Sequence, residues 1–288
     1  RVNNSYPIKV GFCKKCLTAH QIYQVSKDEL FPSSYHYRAR FTKDVLDGMK
    51  DLVNFIIEEK GSLKNKVVID IGCNDGSLLD FFSREGALTV GVEPTNASKD
   101  AQEKGHKIFN CFFDRITANS IKEEFPKIDF ITFTNVFAHI DDLPELLRNI
   151  KYLLNENTNL IIENHYLGSI LSKNQFDTFY HEHPRTYSLS SFMKIADNLK
   201  MNITKFEFPK RYGGNIRVFI EKKKKLKEQE NINSVLLREK NFFDNFREME
   251  AFLDFWKKEK RTDILAFVDK YGPIPAKAFP GRASILIK

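Results

Sequence analysis

The sequence has 288 residues, 42% of them hydrophobic and 29% charged, so it can bury a full core as one large unit with one or two smaller ones. No apolar run approaches the ~20 residues needed to cross a bilayer and no cleavable signal pattern opens the chain, which argues against a membrane partner. Net charge is +7, with sixteen Lys and Arg against eleven Asp and Glu from residue 221 onward, and a solvated helix face explains the run Lys222 to Lys225 better than nucleic-acid binding does.

Residues 1–40 carry few periodic apolar positions and contain Cys13-Lys-Lys-Cys16, half of a zinc ribbon, whereas tetrahedral zinc needs four ligands. His20 and His36 complete such a site only at irregular spacing, so zinc stays open at Cys13 and Cys16. With Cys73 and Cys111 the four cysteines do not form a disulfide framework, and a reducing cytoplasm is the consistent compartment. The start at Arg1 points to a piece of something longer, and nothing in the composition reports on oligomeric state.

From Thr42 to Glu59, apolar residues at every third or fourth position mark an amphipathic helix. Strands are then expected at 67–71, 88–93, 107–111, 129–136 and 159–164, alternating with helices near 77–84, 96–104, 116–124 and 142–154. Such alternation implies βαβ units and a parallel sheet, with ligands beyond the carboxyl ends of the strands. After a polar, aromatic stretch, QFDTFYHEHPRTYS, come a helix at 190–199, strands at 202–208 and 215–221, and helical spacing from 226 to 270. Ile285 to Ile287 read as the start of another strand, where the chain is expected to stop before a unit is complete.

Val67 to Phe82 organises the rest: a β-branched run, a glycine-punctuated turn with free backbone N–H groups, and a helix that Ser77 can cap. The turn reads Asp70-x-Gly72-x-x-x-Gly76, and Glu93 ends the next strand where a carboxylate can take two ribose hydroxyls. Nicotinamide dinucleotide enzymes also place a glycine-rich turn here, so an NAD-dependent sugar dehydrogenase is one alternative, although their fingerprint is GxGxxG. The fourth strand brings Asn135 and His139 to the rim, where a histidine can serve as a general base. Tyr180-His181-Glu182-His183 suits the wall of a polyhydroxylated substrate's site better than a metal, because adjacent residues point in different directions.

The acid-x-Gly-x-x-x-Gly form resembles the first motif of class I methyltransferases that use S-adenosylmethionine. That resemblance implies that Gly72 and Gly76 admit the methionine part, that Asp70 anchors its amino group through the loop and that Glu93 binds the ribose, with Asn74, Asp75 and Asn135 also on the cofactor side. The ordered set Cys13-x-x-Cys16, FPSSYHYR (31–38), DIGCNDGSLL (70–79), GVEPT (91–95), NVFAHI (135–140), FDTFYHEH (176–183) and YGGNIRVFI (212–220) looks like the sugar methyltransferase family. The resemblance implies an α/β fold, a Rossmann-like class I methyltransferase with a mostly parallel sheet flanked by helices, a small N-terminal segment and a helical C-terminal extension. Its divisions fall at 1–40, 41–222 and 223–288. It further implies a nucleotide-activated sugar as acceptor, for surface polysaccharide or glycoside assembly. His139 and His183 become candidate bases, Tyr180 and Glu182 orient the acceptor, Tyr37 closes the pocket, and His181, Asn215 and Arg217 stand on the substrate side. The family's other cysteine pair is missing, and PGRASILIK resembles the opening turn of its C-terminal domain. The reading leans to a hydroxyl acceptor because Pro184 and Arg185 depart from the carbon-methylating pattern, with methylation of a keto-sugar carbon as the alternative.

Overall fold

Apolar β-branched runs separated by glycine turns and amphipathic segments bury both faces of a sheet, and the computed structural model, described for residues 6–222, 232–275 and 285, has that form. The chain opens with a hairpin of β1 (Val10–Cys13) and β2 (Thr18–Gln21), a single turn α1 (Lys27–Leu30) and the helix α2 (Lys43–Lys60). The alternating region follows as β3 (Val67–Ile71), α3 (Ser77–Arg84), β4 (Leu88–Val92), α4 (Ala97–Glu103), β5 (Lys107–Phe109), α5 (Arg115–Glu124), β6 (Phe130–Thr134), α6 (Leu143–Leu153) and β7 (Asn159–His165). Then come α7 (Leu167–Ser172), β8 (Arg185–Thr186), α8 (Leu189–Asn198), β9 (Asn202–Glu207), β10 (Asn215–Glu221), α9 (Ile232–Glu239) and α10 (Phe242–Tyr271).

Seven strands form one sheet in the order β5-β4-β3-β6-β7-β10-β9. The first five run parallel, and β10 enters between β7 and β9 antiparallel to both. Alternate residues of each strand feed opposite layers: Val68, Phe130, Ile161 and Phe219 pack with α2 and α3, while Ile69, Ile131, Leu160 and Val218 pack with α5, α6 and α8. The strand order reverses direction at β3 and β6, so their carboxyl ends open a crevice.

Ser77 does not cap α3 as the sequence suggested. Gly76 occupies the cap position in a left-handed conformation, and the Asp75 carboxylate accepts from the Ser77 N–H at 3.2 Å and from its hydroxyl at 2.6 Å. Glycine takes the cap position because the turn needs positive φ there, and the Asp75 side chain, two residues before Ser77, supplies the accepting oxygen.

β8 joins the N-terminal hairpin in a second, three-stranded sheet, pairing Ala19 with Thr186 and His20 with Arg185. The stretch after YHEH is therefore a strand as well as a site loop. On the far side α10 docks through Phe246 against Phe12 and Phe179, and through Trp256 against Phe176. The buried Glu239 of α9 accepts from the Tyr166 hydroxyl and from the N–H groups of Leu189 and Ser190 at the start of α8. Among the described residues no helix is long and apolar enough to cross a membrane. Lys223 to Lys225 and the strand expected at 285–287, apart from Ile285, lie outside the described residues.

Candidate active site

The crevice holds a cavity of ≈ 190 Å³ lined by Asp70, Gly72, Asn74, Glu93, Asn135 and His139, with Phe112 and Phe113 on one wall and Phe31, Tyr35, Tyr37 and Ala39 across the top. Gly72 has φ +74, and a Cβ there would stand 2.5 Å from Val136, so only glycine lets the turn pass this close to the β6 exit. The N–H groups of the turn are not free, contrary to the sequence expectation. Those of Gly72 and Cys73 donate to the Val92 carbonyl at 2.7 and 3.2 Å, and that of Gly76 to Cys73 at 2.9 Å. What the turn presents to the cavity is chiefly shape and the carboxylates it orients.

Glu93 is 5% exposed, with its oxygens held by the Asn74 N–H at 3.0 Å and by the Thr95 N–H and hydroxyl at 2.9 and 2.6 Å. It is thus a fixed acceptor in the wall of the cavity. Asp70 is 3% exposed; burial, reinforced by the Glu93 charge and opposed by the Thr132 hydroxyl at 2.7 Å, pushes its carboxyl up to about 7. Two buried carboxylates, a glycine cradle and an aromatic wall fit the ribose, amino group and base of S-adenosylmethionine.

His139 enters the same cavity from the 3₁₀ turn that follows β6. Its ring stacks on Phe31 at 5.2 Å and on His183 at 5.1 Å, and His183 in turn meets His165 at 5.1 Å and Tyr180 at 4.4 Å. Burial, with His183 and His165 beside it, drives the His139 imidazole well below its ordinary value, so the ring is neutral at pH 7. His183 is buried and its Nδ1 lies 3.1 Å from the Thr178 carbonyl, so Nδ1 carries the proton in the neutral ring and Nε2 is the accepting nitrogen. Glu182 accepts from the Tyr35 hydroxyl at 3.3 Å, and burial raises its carboxyl.

Several expected residues stand elsewhere. Gly76 and Asp75 do not line the cavity; Asp75 is fully buried and divided between Ser77 and Arg40. None of Tyr180 to His183 lines the cavity itself: His181 turns away to the Tyr6 carbonyl at 3.3 Å, while His183 and Tyr180 stand behind His139 through ring contacts and Glu182 stands behind Tyr35. Asn215 and Arg217 do not line the cavity either. They surround Glu163, an acid buried in β7: Arg217 Nε donates to it at 2.7 Å, Asn215 Nδ2 at 2.9 Å, and Arg211 completes the cluster. Asn215 also donates to the Asn135 side chain at 3.1 Å, which holds Asn135, at φ 56, on the cavity floor.

Glu163, Phe31, Tyr35, Arg185 and His165 are absent from the sequence-based set. A lone acid in the run Leu160-Ile-Ile-Glu-Asn164 was the available sign of Glu163. Cys13 and Cys16 sit together on the hairpin turn, and among the described residues no group of three or more His, Cys, Asp or Glu could hold a metal ion. These residues alone do not fit a tetrahedral zinc site.

Residues 38–204 match the model of a methyltransferase-domain family. The chain is 28% identical over 215 residues to the C-methyltransferase NovU of Streptomyces niveus, covering 74% of this chain and 51% of that protein. A ubiquinone biosynthesis O-methyltransferase of Serratia proteamaculans is 29% identical over 108 residues, 35% of this chain and 44% of that one. The chain spans about half the length of the curated relatives it matches. A solved protein of Pyrococcus horikoshii superposes with a TM-score of 0.51 at 14% identity, over 68% of this chain and 98% of that one, and supports the fold alone.

Proposed function

The chain belongs to the methyltransferase-domain family, a family of S-adenosylmethionine-dependent enzymes, and from that premise we propose that it methylates the sugar of a nucleotide-activated sugar. The acceptor atom in this reading is a carbon made acidic by a neighbouring carbonyl. One observation carries it: His139, a neutral base at pH 7, opens into the same cavity as Glu93 and the glycine turn. S-adenosylmethionine supplies an electrophilic methyl group on a sulfonium. Asp70, Gly72, Asn74, Glu93 and Asn135 are the residues that would hold it.

His139 takes the proton from the acceptor carbon, and His183, stacked on it, supports that ring in a fixed tautomer of its own. Tyr35, hydrogen-bonded to Glu182, and Tyr37 shape the acceptor side and exclude water. Among the described residues Lys27 is the only Lys or Arg in the cavity wall, and it would meet the anionic nucleotide part. Proximity supplies most of the rate, since two reactants held at near-attack distance react as one molecule.

Carbon is favoured by the similarity to NovU, which extends over 74% of the chain against 35% for the O-methylating relative. The lean to a hydroxyl stood on Pro184 and Arg185. Their pairing with β2 accounts for them without reference to the acceptor. An NAD-dependent dehydrogenase is set aside by the family match.

The test is a panel of nucleotide-linked keto- and hydroxy-sugars with a labelled methyl donor, the product read by NMR as C-methyl or O-methyl. His139→Ala and His183→Ala run beside the unaltered protein. An O-methyl signal would overturn the choice of atom, and full turnover in both variants would overturn the base assignment.

A further inference from the structure

We propose that Arg185 is a positioning residue for His139, acting through two backbone carbonyls and held in register by the N-terminal hairpin. This rests on the reading of His139 as the proton acceptor. Arg185 Nη1 donates to the carbonyl of Ile140 at 2.9 Å and to that of Asp141 at 2.8 Å, the two residues that leave the turn carrying His139. Ile140 and Asp141 line the cavity with His139, so the guanidinium grips a segment of the cavity wall from behind. A charged donor shared by consecutive carbonyls restrains the direction of the chain as well as its distance.

The other end of Arg185 is equally restrained. Its backbone belongs to β8, where it pairs with His20, and the Gln21 N–H donates to the Pro184 carbonyl at 3.0 Å. The hairpin thus fixes the main chain of Arg185, and Arg185 fixes the exit of the His139 turn. Phe31 and His183 hold the two faces of the ring, but neither restrains the turn along the plane of that stack. Arg185 restrains the exit of the turn, whose middle is held by the Ala138 N–H on the Asn164 side chain at 3.4 Å, and a displacement of about 1 Å at a reacting group can lower a rate roughly 100-fold.

Arg185→Met keeps the apolar stem and removes the donors; Arg185→Lys keeps a charge and a donor of different geometry. In Arg185→Met, kcat should fall roughly 10- to 100-fold while KM for the methyl donor stays within about twofold, and Arg185→Lys should recover part of the loss. The double variant His139→Ala/Arg185→Met should be no slower than His139→Ala alone, since groups acting through one another are non-additive. A further loss in the double variant, or a fall in donor binding or thermal midpoint matching the fall in kcat, would show a general structural role and overturn the inference. If His139→Ala is slow and Arg185→Met is fully active, the positioning role fails and the base reading stands. If His139→Ala itself turns over normally, the base reading fails and takes this inference with it.

Discussion

Asp70→Asn tests whether the donor cavity destabilises the fold that contains it. Asp70 is 3% exposed, and its carboxyl is raised from 3.8 to about 7 by burial first, then by Glu93. A carboxyl with a raised folded-state pKa contributes stability at low pH that is lost as pH climbs to about 7. Over a gap of about three pKa units at 1.36 kcal/mol each, the loss approaches about 4 kcal/mol. Asparagine has the same shape and retains an oxygen for the Thr132 hydroxyl, so the contact at 2.7 Å survives while the charge does not. The donor-free variant should match the unaltered protein only below pH 3.8, exceed it by about 1 kcal/mol near pH 4.5 and by up to about 4 kcal/mol near pH 8. Urea unfolding at three pH values measures this, because groups common to both proteins cancel in the difference. Parallel pH curves for the two proteins would refute the reasoning.

Other outcomes follow from the same geometry. His139 lies well below its ordinary value, so methyl transfer should persist as pH is lowered through 6.5; a rate profile falling with a midpoint at or above 6.5 would remove His139 as the base. Glu163→Gln leaves Arg211 buried without its anion and Arg217 with Glu207 alone, at 3.3 Å, and should lower stability by about 3 to 5 kcal/mol, read by calorimetry; a change below about 1 kcal/mol would mean that the cluster relaxes. Lys27→Ala should raise KM for a nucleotide-linked acceptor about tenfold, or ~1.4 kcal/mol, and leave donor KM unchanged; equal KM values in both proteins would place the phosphates elsewhere.

The strands and helices from Val67 to His165 were legible because periodicity and glycine punctuation are local signals. So was Glu93, since an acid closing the second strand of a βαβ unit has only one crevice to face. Asn215 and Arg217 were misplaced for a reason that spacing cannot reveal: their partner, Glu163, comes from another strand, and β10 enters the sheet antiparallel. The stack of His139, His183 and His165 joins three segments in the same way: the first two were singled out separately, and no spacing brings them together or adds His165. Asp75, expected on the cofactor side, instead accepts from Ser77, expected as the cap, because one positive φ puts the cap position at Gly76.

The segment from Lys27 to Ala39 bears on what a minimal catalytic fragment of this protein would be. Asn74 holds it at both ends of its amide, accepting from the Ala39 N–H at 3.0 Å and donating to the Tyr37 carbonyl at 3.1 Å. A fragment trimmed at the boundary expected near residue 40, or at the family-model limit of residue 38, would keep every strand of the large sheet. It would still lose Lys27, Phe31, Tyr35 and Tyr37, and with them the roof of the cavity and the face of His139 that Phe31 covers. Such a fragment should keep the sheet and yet uncover one side of its imidazole, so that burial lowers the His139 pKa less and the acceptor site is poorly bounded. The catalytic unit is therefore longer at its amino end than the sheet that supports it.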